Sequence, residues 1–301
     1  MSGEGTSETA EPTEVWTVRK VLDWTIGHLK QHGCESARLD AEILLAHSRN
    51  CQRIQLYTEF DAPLTLEERA TMRALVRRRA ALEPVAYLVG FREFFGLDFE
   101  VEPGVLIPRP DTETLVMAAL EIVNELPAPR ILDVCTGTTC VPIAIAANCA
   151  AATLTAIELD SQVHGIAQRN IEKHELTDRI TLLQGDLFSP LAGDASFDVI
   201  TANPPYVTDE EMNTLQPDVR LHEPELALRG GADGLDIVRR LIPEATGHLT
   251  DDGALLLEIG EQQGDAVAQL FAASNQYKPA EIVKDLGGRS RVVWAKKKPT
   301  S

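Results

Sequence analysis

Arg130-Ile-Leu-Asp-Val-Cys-Thr-Gly-Thr-Thr-Cys-Val-Pro-Ile-Ala-Ile-Ala-Ala-Asn148 is the stretch on which the fold turns. An apolar run over 130–135 leads into the short polar turn Thr136-Gly137-Thr138-Thr139, and a helical run follows from Cys140 to about Asn148. A short continuous apolar run, a glycine-bearing turn and then a helix make one βα unit whose strand is buried on both faces. The unit recurs downstream. Strand-like runs at 153–158, 180–184, 197–202 and 254–259 are mostly separated by helical stretches. This alternation predicts an α/β domain with a doubly wound, mostly parallel sheet covered on both faces. Residues 281–285 and 291–295, on either side of Gly287-Gly288, predict a closing antiparallel hairpin. No internal repeat is present.

Upstream the period changes. Val18, Val21, Leu22, Thr25, Ile26 and Leu29 lie three and four apart on one helical face, and Gly33 follows as a stop. Ala37, Ala41, Leu44 and Leu45 mark a second helix. A third starts at Thr65, an N-cap with Glu68 three residues on, carries Leu66, Met72, Leu75 and Val76, and ends in Arg77-Arg78-Arg79. Tyr57 and Phe60 are expected in the core. Between Tyr87 and Pro108, Phe91, Phe94, Phe95, Leu97, Phe99 and Val101 predict a short hairpin turning at Gly96. Asp111 is an N-cap candidate for a helix carrying Leu115, Val116, Ala119, Leu120 and Val123. The expected organisation is a disordered acidic tail over 1–14, a helical-bundle domain over 15–86, a linker hairpin over 87–108, an α/β domain over 109–296 and a frayed end from Lys296.

A length of 301 residues suits two domains. Apolar residues make up 44% and charged residues 25%, which excludes global disorder. The net charge of −18 repels phosphate backbones, so direct nucleic-acid binding is not expected. No apolar run approaches the length that spans a bilayer, and the first residues lack a signal-peptide core, so a cytoplasmic protein without membrane contact is expected. Cys34, Cys51, Cys135, Cys140 and Cys149 show neither CxxC spacing nor a Cys/His cluster, so free thiols and no metal are expected.

Ligands of a doubly wound sheet bind beyond the carboxyl ends of the strands near the first βα turn, where Gly137 lets backbone come close. Glu158, 25 residues after Asp133, ends the second strand, where a carboxylate can accept both hydroxyls of a ribose. After the third strand, Asp186 can accept from an adenine amino group and Leu187 can pack on the ring. The fourth strand ends in Asn203-Pro-Pro-Tyr206. Two prolines fix two φ angles and remove two donors, so the Pro204 carbonyl is held rigidly without a ladder partner. Asn203 adds a side-chain acceptor, and Tyr206 adds a flat wall. Two adjacent acceptors suit an NH2 group, which they would hold with its nitrogen facing a methyl donor.

Asn203-Pro-Pro-Tyr206 in this position resembles the amino-methyltransferase branch of the class I S-adenosylmethionine (SAM) fold. Leu106-Ile-Pro-Arg-Pro-Asp-Thr-Glu113 resembles the LIPRPETE signature of the HemK/PrmC family of protein-(glutamine-N5) methyltransferases. The pattern Pro84-x-x-Tyr87-x-x-Gly90, the run His222-Glu-Pro-Glu-Leu-Ala-Leu-Arg-Gly-Gly231, and Glu258-Ile-Gly260 with Gln262 or Gln263 are similar to the same family, over about residues 18–295. The resemblance implies a helical domain that docks peptide chain release factors and a SAM domain that methylates the glutamine of their Gly-Gly-Gln motif. By position it implies that Cys135, Thr136, Gly137, Thr138 and Thr139 form the SAM loop, that Glu158 takes the ribose, and that Asp186 and Leu187 meet the adenine. It further implies that Asn203, Pro204, Pro205 and Tyr206 hold the glutamine amide, with Asn203 also beside the cofactor. A monomer is expected.

Two departures stand out. The family loop reads D-x-G-x-G-x-G, and Cys135 and Thr139 replace its first and third glycines. If the loop keeps a strained glycine geometry, Cys135 weakens SAM binding by about 1–3 kcal/mol. Thr139 is expected to cap the following helix, and Pro142 suits its first turn. Glu158 and Asp111 each exchange one acid for the other. Adenine-N6 methylation of nucleic acid, glutamine methylation of a ribosomal protein, and noncatalytic release-factor binding are the competing readings.

Overall fold

The computed structural model describes residues 15–299; the expected tail 1–14 lies outside them, as do Thr300 and Ser301. The chain divides into two compact units between Val89 and Gly90. The first is helical: α1 (Val18–Gln31), α2 (Ala37–Ser48), α3 (Arg53–Thr58), α4 (Leu66–Ala80) and α5 (Val85–Val89). Thr65 and Glu68 form the expected capping box of α4, at 3.1 and 2.7 Å. Gly33 ends α1 in the left-handed region, φ +79°. Val18, Leu22, Leu29, Leu44, Leu45 and Leu56 fill one core.

Three details of this unit differ from the periodicity. Leu66 is 82% exposed, because the first helical position projects away from the bundle. Arg79, the last residue of the basic run, turns inward and pairs with buried Asp40 at 2.7 Å. Tyr57 is exposed and its hydroxyl donates to Glu42 at 2.6 Å, so it is not core; Phe60 is half-buried. The helices α3 and α5 are too short for a 3.6-residue pattern to repeat within them.

The second unit contains β1 (Phe91–Phe94), β2 (Leu97–Glu100), α6 (Glu113–Val123), β3 (Arg130–Val134), α7 (Cys140–Asn148), β4 (Thr153–Glu158), α8 (Ser161–Lys173), β5 (Ile180–Gln184) and β6 (Phe197–Ala202). It continues with α9 (Pro217–His222), α10 (Asp236–Ala245), β7 (Leu249–Glu258), α11 (Gly264–Ser274), β8 (Glu281–Lys284) and β9 (Ser290–Lys296). Seven strands form one sheet in the order β5-β4-β3-β6-β7-β9-β8, in which only the pairings of β9 are antiparallel. Alternate strand residues face opposite cores. Ile131, Leu154, Val199 and Leu256 pack with α6 and α7, while Leu132, Ile157, Ile200 and Leu257 pack with α10 and α11.

The β1–β2 hairpin, expected as a linker, packs into this unit: Phe94 and Phe99 are buried in its core. Phe95 and Gly96 both have positive φ, the geometry a tight two-residue hairpin requires. Asp111 does not cap a helix. Pro110–Thr112 makes one 3-10 turn, Thr112 occupies the N-cap position of α6, and Asp111 pairs with Arg291 of β9 at 2.9 Å. The end expected to fray from Lys296 is tied down, since the Lys298 N–H donates to Gln276 and the Lys297 ammonium to two carbonyls, all at 2.8 Å.

Candidate active site

The strand order reverses direction at β3, with β4 and β5 on one side and β6 and β7 on the other. Such a switch point opens a crevice beyond the carboxyl ends of the strands. Register pairs Val134 with Ala202, so Cys135 and Asn203 leave adjacent strands side by side. Two adjoining clefts of about 140 and 40 Å³ occupy this crevice, and Cys135, Gly137 and Asn203 line both. Glu158, Asp186, Leu187 and Pro205 line the larger, and Thr136 and Thr138 the smaller. Thr139, Pro204 and Tyr206 line neither.

The first loop keeps the backbone of the glycines it lacks. Cys135 has φ +59°, Gly137 +55° and Thr139 +62°. Burial pushes the Cys135 thiol up, so it is a neutral group rather than a thiolate. Thr139 stands at the N-cap position of α7 but does not cap it. Its left-handed backbone turns the hydroxyl aside, to the carbonyls of Thr138 and, at 3.3 Å, Ala167. Glu158, 9% exposed, accepts from the Gly137 and Asp160 N–H groups, both at 2.9 Å, and thereby ties β4 to the loop. Burial raises its pKa against those two bonds. Asp186 is exposed and pairs with Arg240 at 2.8 Å, and Leu187 is buried beside it.

Asn203 donates its Nδ2 hydrogen to the Thr112 hydroxyl at 3.3 Å. No described residue donates to its Oδ1 or to the Pro204 carbonyl. The loop is braced from behind. Gln263 donates to the Tyr206 carbonyl at 3.0 Å and accepts from the Gly260 N–H at 2.9 Å. A Cβ on Gly230 would stand 2.7 Å from the Pro205 carbonyl oxygen, so a side chain there would displace the loop. Burial pushes the Tyr206 phenol up to about 12, which keeps it neutral.

Several site residues had no assigned role in the sequence reading. Asp133, under the loop, accepts from Thr201 at 2.6 Å and is pushed up to about 7 by burial. Asn170 of α8 donates to the Thr138 and Glu100 carbonyls, both at 3.1 Å, and accepts from the Glu100 N–H at 2.7 Å. Glu223 holds Arg109 and the Ile107 N–H, which fixes the segment before α6. Glu258 ends β7, fully buried; burial pushes it up to about 7 against the opposing pull of the Thr112 hydroxyl and Arg291. Thr112, Glu223 and Glu258 sit inside the motif runs quoted above. A polar residue at the end of an apolar strand was the available signal for Glu258.

Among the described residues, no group of three or more His, Cys, Asp or Glu is placed to hold a metal ion, and no helix is long and apolar enough to cross a membrane. The seven-stranded order, with its crevice at the switch point and an acidic tip on the neighbouring strand, is the class I methyltransferase fold, and the protein is a methyltransferase. A methyltransferase structure from Pyrococcus furiosus superposes with a TM-score of 0.50 at 19% identity, covering 76% of this chain and all of that one. The PrmC N-terminal domain model matches residues 20–90, and the methyltransferase small domain model matches 108–223. A release factor glutamine methyltransferase of Rhodopirellula baltica is 42% identical over 97% of this chain and 99% of its own. One of Geobacter sulfurreducens is 44% identical over 94% and 98%. The chain belongs to the release factor glutamine methyltransferase family.

Proposed function

We propose that the protein transfers a methyl group from SAM to the side-chain amide nitrogen (N5) of the glutamine in the Gly-Gly-Gln motif of peptide chain release factors. The observation that carries this reading is the pair of free acceptors, Asn203 Oδ1, on a residue that lines the crevice, and the carbonyl of the adjoining Pro204. In the same reading the helical unit docks the factor and the second unit carries out the transfer. The protein acts in the cytoplasm as a monomer.

The residues present fit SAM. Glu158 lines the cleft with a carboxylate oriented by two backbone donors, suited to ribose hydroxyls. Leu187 and Ile237 offer apolar surface to a ring, and Asp186 an exposed acceptor at its edge. Cys135, Thr136, Gly137 and Thr138 face the remainder of the crevice. When bound, SAM supplies an electrophilic methyl on a sulfonium.

The amide nitrogen is a weak nucleophile because its lone pair is shared with the carbonyl. Asn203 Oδ1 and the Pro204 carbonyl accept its two hydrogens and aim the lone pair along the line of displacement. Thr112 matters here: by engaging Asn203 Nδ2 it turns the acceptor oxygen outward. Orientation of this kind contributes several kcal/mol of the roughly 7–11 available from positioning. Tyr206 keeps a neutral ring beside the amide, and its brace by Gln263 holds the loop rigid. The proton leaves after methylation, when the nitrogen is acidic.

Mass spectrometry of a purified release factor incubated with SAM and the protein tests the reading. The Gly-Gly-Gln peptide is expected to gain one CH2, located on the glutamine side chain. Asn203→Ala is expected to lower kcat by at least about 10²-fold with little change in SAM affinity. An unmodified peptide, or normal turnover by the variant, would sink the proposal.

A further inference from the structure

Arg69, Arg73 and Arg77 lie one turn apart on α4 and line a groove of about 690 Å³ within the helical unit. None of the three has a carboxylate partner among the described residues; Arg69 stands over the Trp16 ring at 5.9 Å. Their neighbours on the same helix behave differently, since Arg78 pairs with Glu83 and Arg79 with Asp40. The opposite wall belongs to α1. Trp24, His28 and His32 are again one turn apart: Trp24 stacks on His28 at a centroid distance of 4.8 Å, His28 meets His32 at 4.2 Å with the rings tilted by 40°, and Trp24 is 53% exposed. Between the walls Val21, Met72 and Val76 give an apolar floor. Buried Thr25 adds a hydroxyl without a partner. Among the described residues no carboxylate lines the groove, although the chain carries a net charge of −18.

Three like charges left along one helix face repel one another, so this stripe lowers the stability of the isolated unit. An anionic partner reverses that sign. Exposed Trp and Arg are the side chains most often found at the energetic centre of protein interfaces. The aliphatic floor between two helices suits the apolar side of a third helix. A nucleic acid would bring phosphates to an acidic protein and leave that floor unused.

We infer that this groove docks an acidic helical segment of the release factor, with apolar anchors on the floor and carboxylates against the three arginines. The inference rests on the proposed function, and it adds where the protein substrate is gripped and by what chemistry. The full-length double variant Arg73→Glu/Arg77→Glu and the separate variant Trp24→Ala test it, with circular dichroism to confirm that each is folded. KM for the intact release factor is expected to rise at least about tenfold in both, with kcat unchanged and with methylation of a short Gly-Gly-Gln peptide unchanged. An unmoved KM for the intact factor overturns the inference, as does an equal loss on the short peptide. Loss of binding to labelled polyuridylate with KM unmoved would assign the groove to RNA and also overturns it. Failure of the proposed function would show differently, as wild-type protein that methylates neither substrate. Direct binding of a fluorescein-labelled release factor, read by anisotropy, would still report on the groove.

Discussion

Cys135 holds a left-handed backbone, φ +59°, which costs a residue with a Cβ roughly 1–2 kcal/mol relative to glycine. Glycine at this position loses about 0.5–1 kcal/mol to the greater entropy of its unfolded chain. Entropy alone says that Cys135→Gly lowers stability, but the observed φ reverses the sign. We expect Tm without ligand to rise by about 2 °C and SAM to bind more tightly, because the thiol lines both clefts. Calorimetric titration and a thermal melt check this, and weaker SAM binding by the variant would show that the sulfur supports the site. Glu258 makes a pH prediction. Its folded pKa of about 7 lies above the 4.5 of an ordinary glutamate, so the folded state favours the protonated acid. The stability this allows is present below about pH 4.5 and is lost as pH rises through 7, by about 3 kcal/mol in all. Glu258→Gln should therefore match wild type near pH 4.5 and exceed it at pH 8 in urea unfolding. Equal stabilities at both pH values would refute the burial argument.

At the scale of elements, Asn170 joins three pieces. From α8 it bonds both backbone groups of Glu100 on β2 and the Thr138 carbonyl in the first loop. Asn170→Ala leaves these groups short of partners and should destabilise the second unit by about 2–3 kcal/mol. It should also weaken SAM binding, since the Thr138 end of the loop is released. A variant with unchanged urea midpoint and SAM affinity would show that water replaces the side chain without loss. The strands and long helices were readable because their periods repeat several times: β4, β5 and β6 fall on the expected residues. The capping box of α4 was readable because both partners lie within one turn. Asp111 misled, since its local sequence suits a cap but Arg291, far along the chain, claims its carboxylate.

At the scale of the molecule, each unit has its own buried cluster, one around Leu29, Leu44 and Leu45 and the others on the two faces of the sheet. Separate cores predict two thermal transitions for the full chain. A fragment beginning at Gly90 should retain the higher one if the sheet unit is the more stable, and should bind SAM. The same fragment should methylate a short Gly-Gly-Gln peptide as well as the full chain does, and the intact factor with kcat/KM lower by at least about tenfold. Equal kcat/KM on the intact factor would remove the docking role from the helical unit.

The sequence was sufficient for what depends on near neighbours or on fixed order along the chain. The βα rhythm, the helical bundle and the short hairpin turning at Gly96 follow from periodicity and turn chemistry. Tertiary structure alone supplied the partners that tune the site. Asn203 meets Thr112 from 91 residues away, and Glu223 meets Arg109 from 114. The left-handed backbone of Cys135 also waited on the fold, because φ there is imposed by the loop's anchors at Ile157 and Glu158 rather than by cysteine's own preference. Local preferences amount to fractions of a kcal/mol per residue, whereas contacts between distant segments are chosen by burial, whose total is far larger.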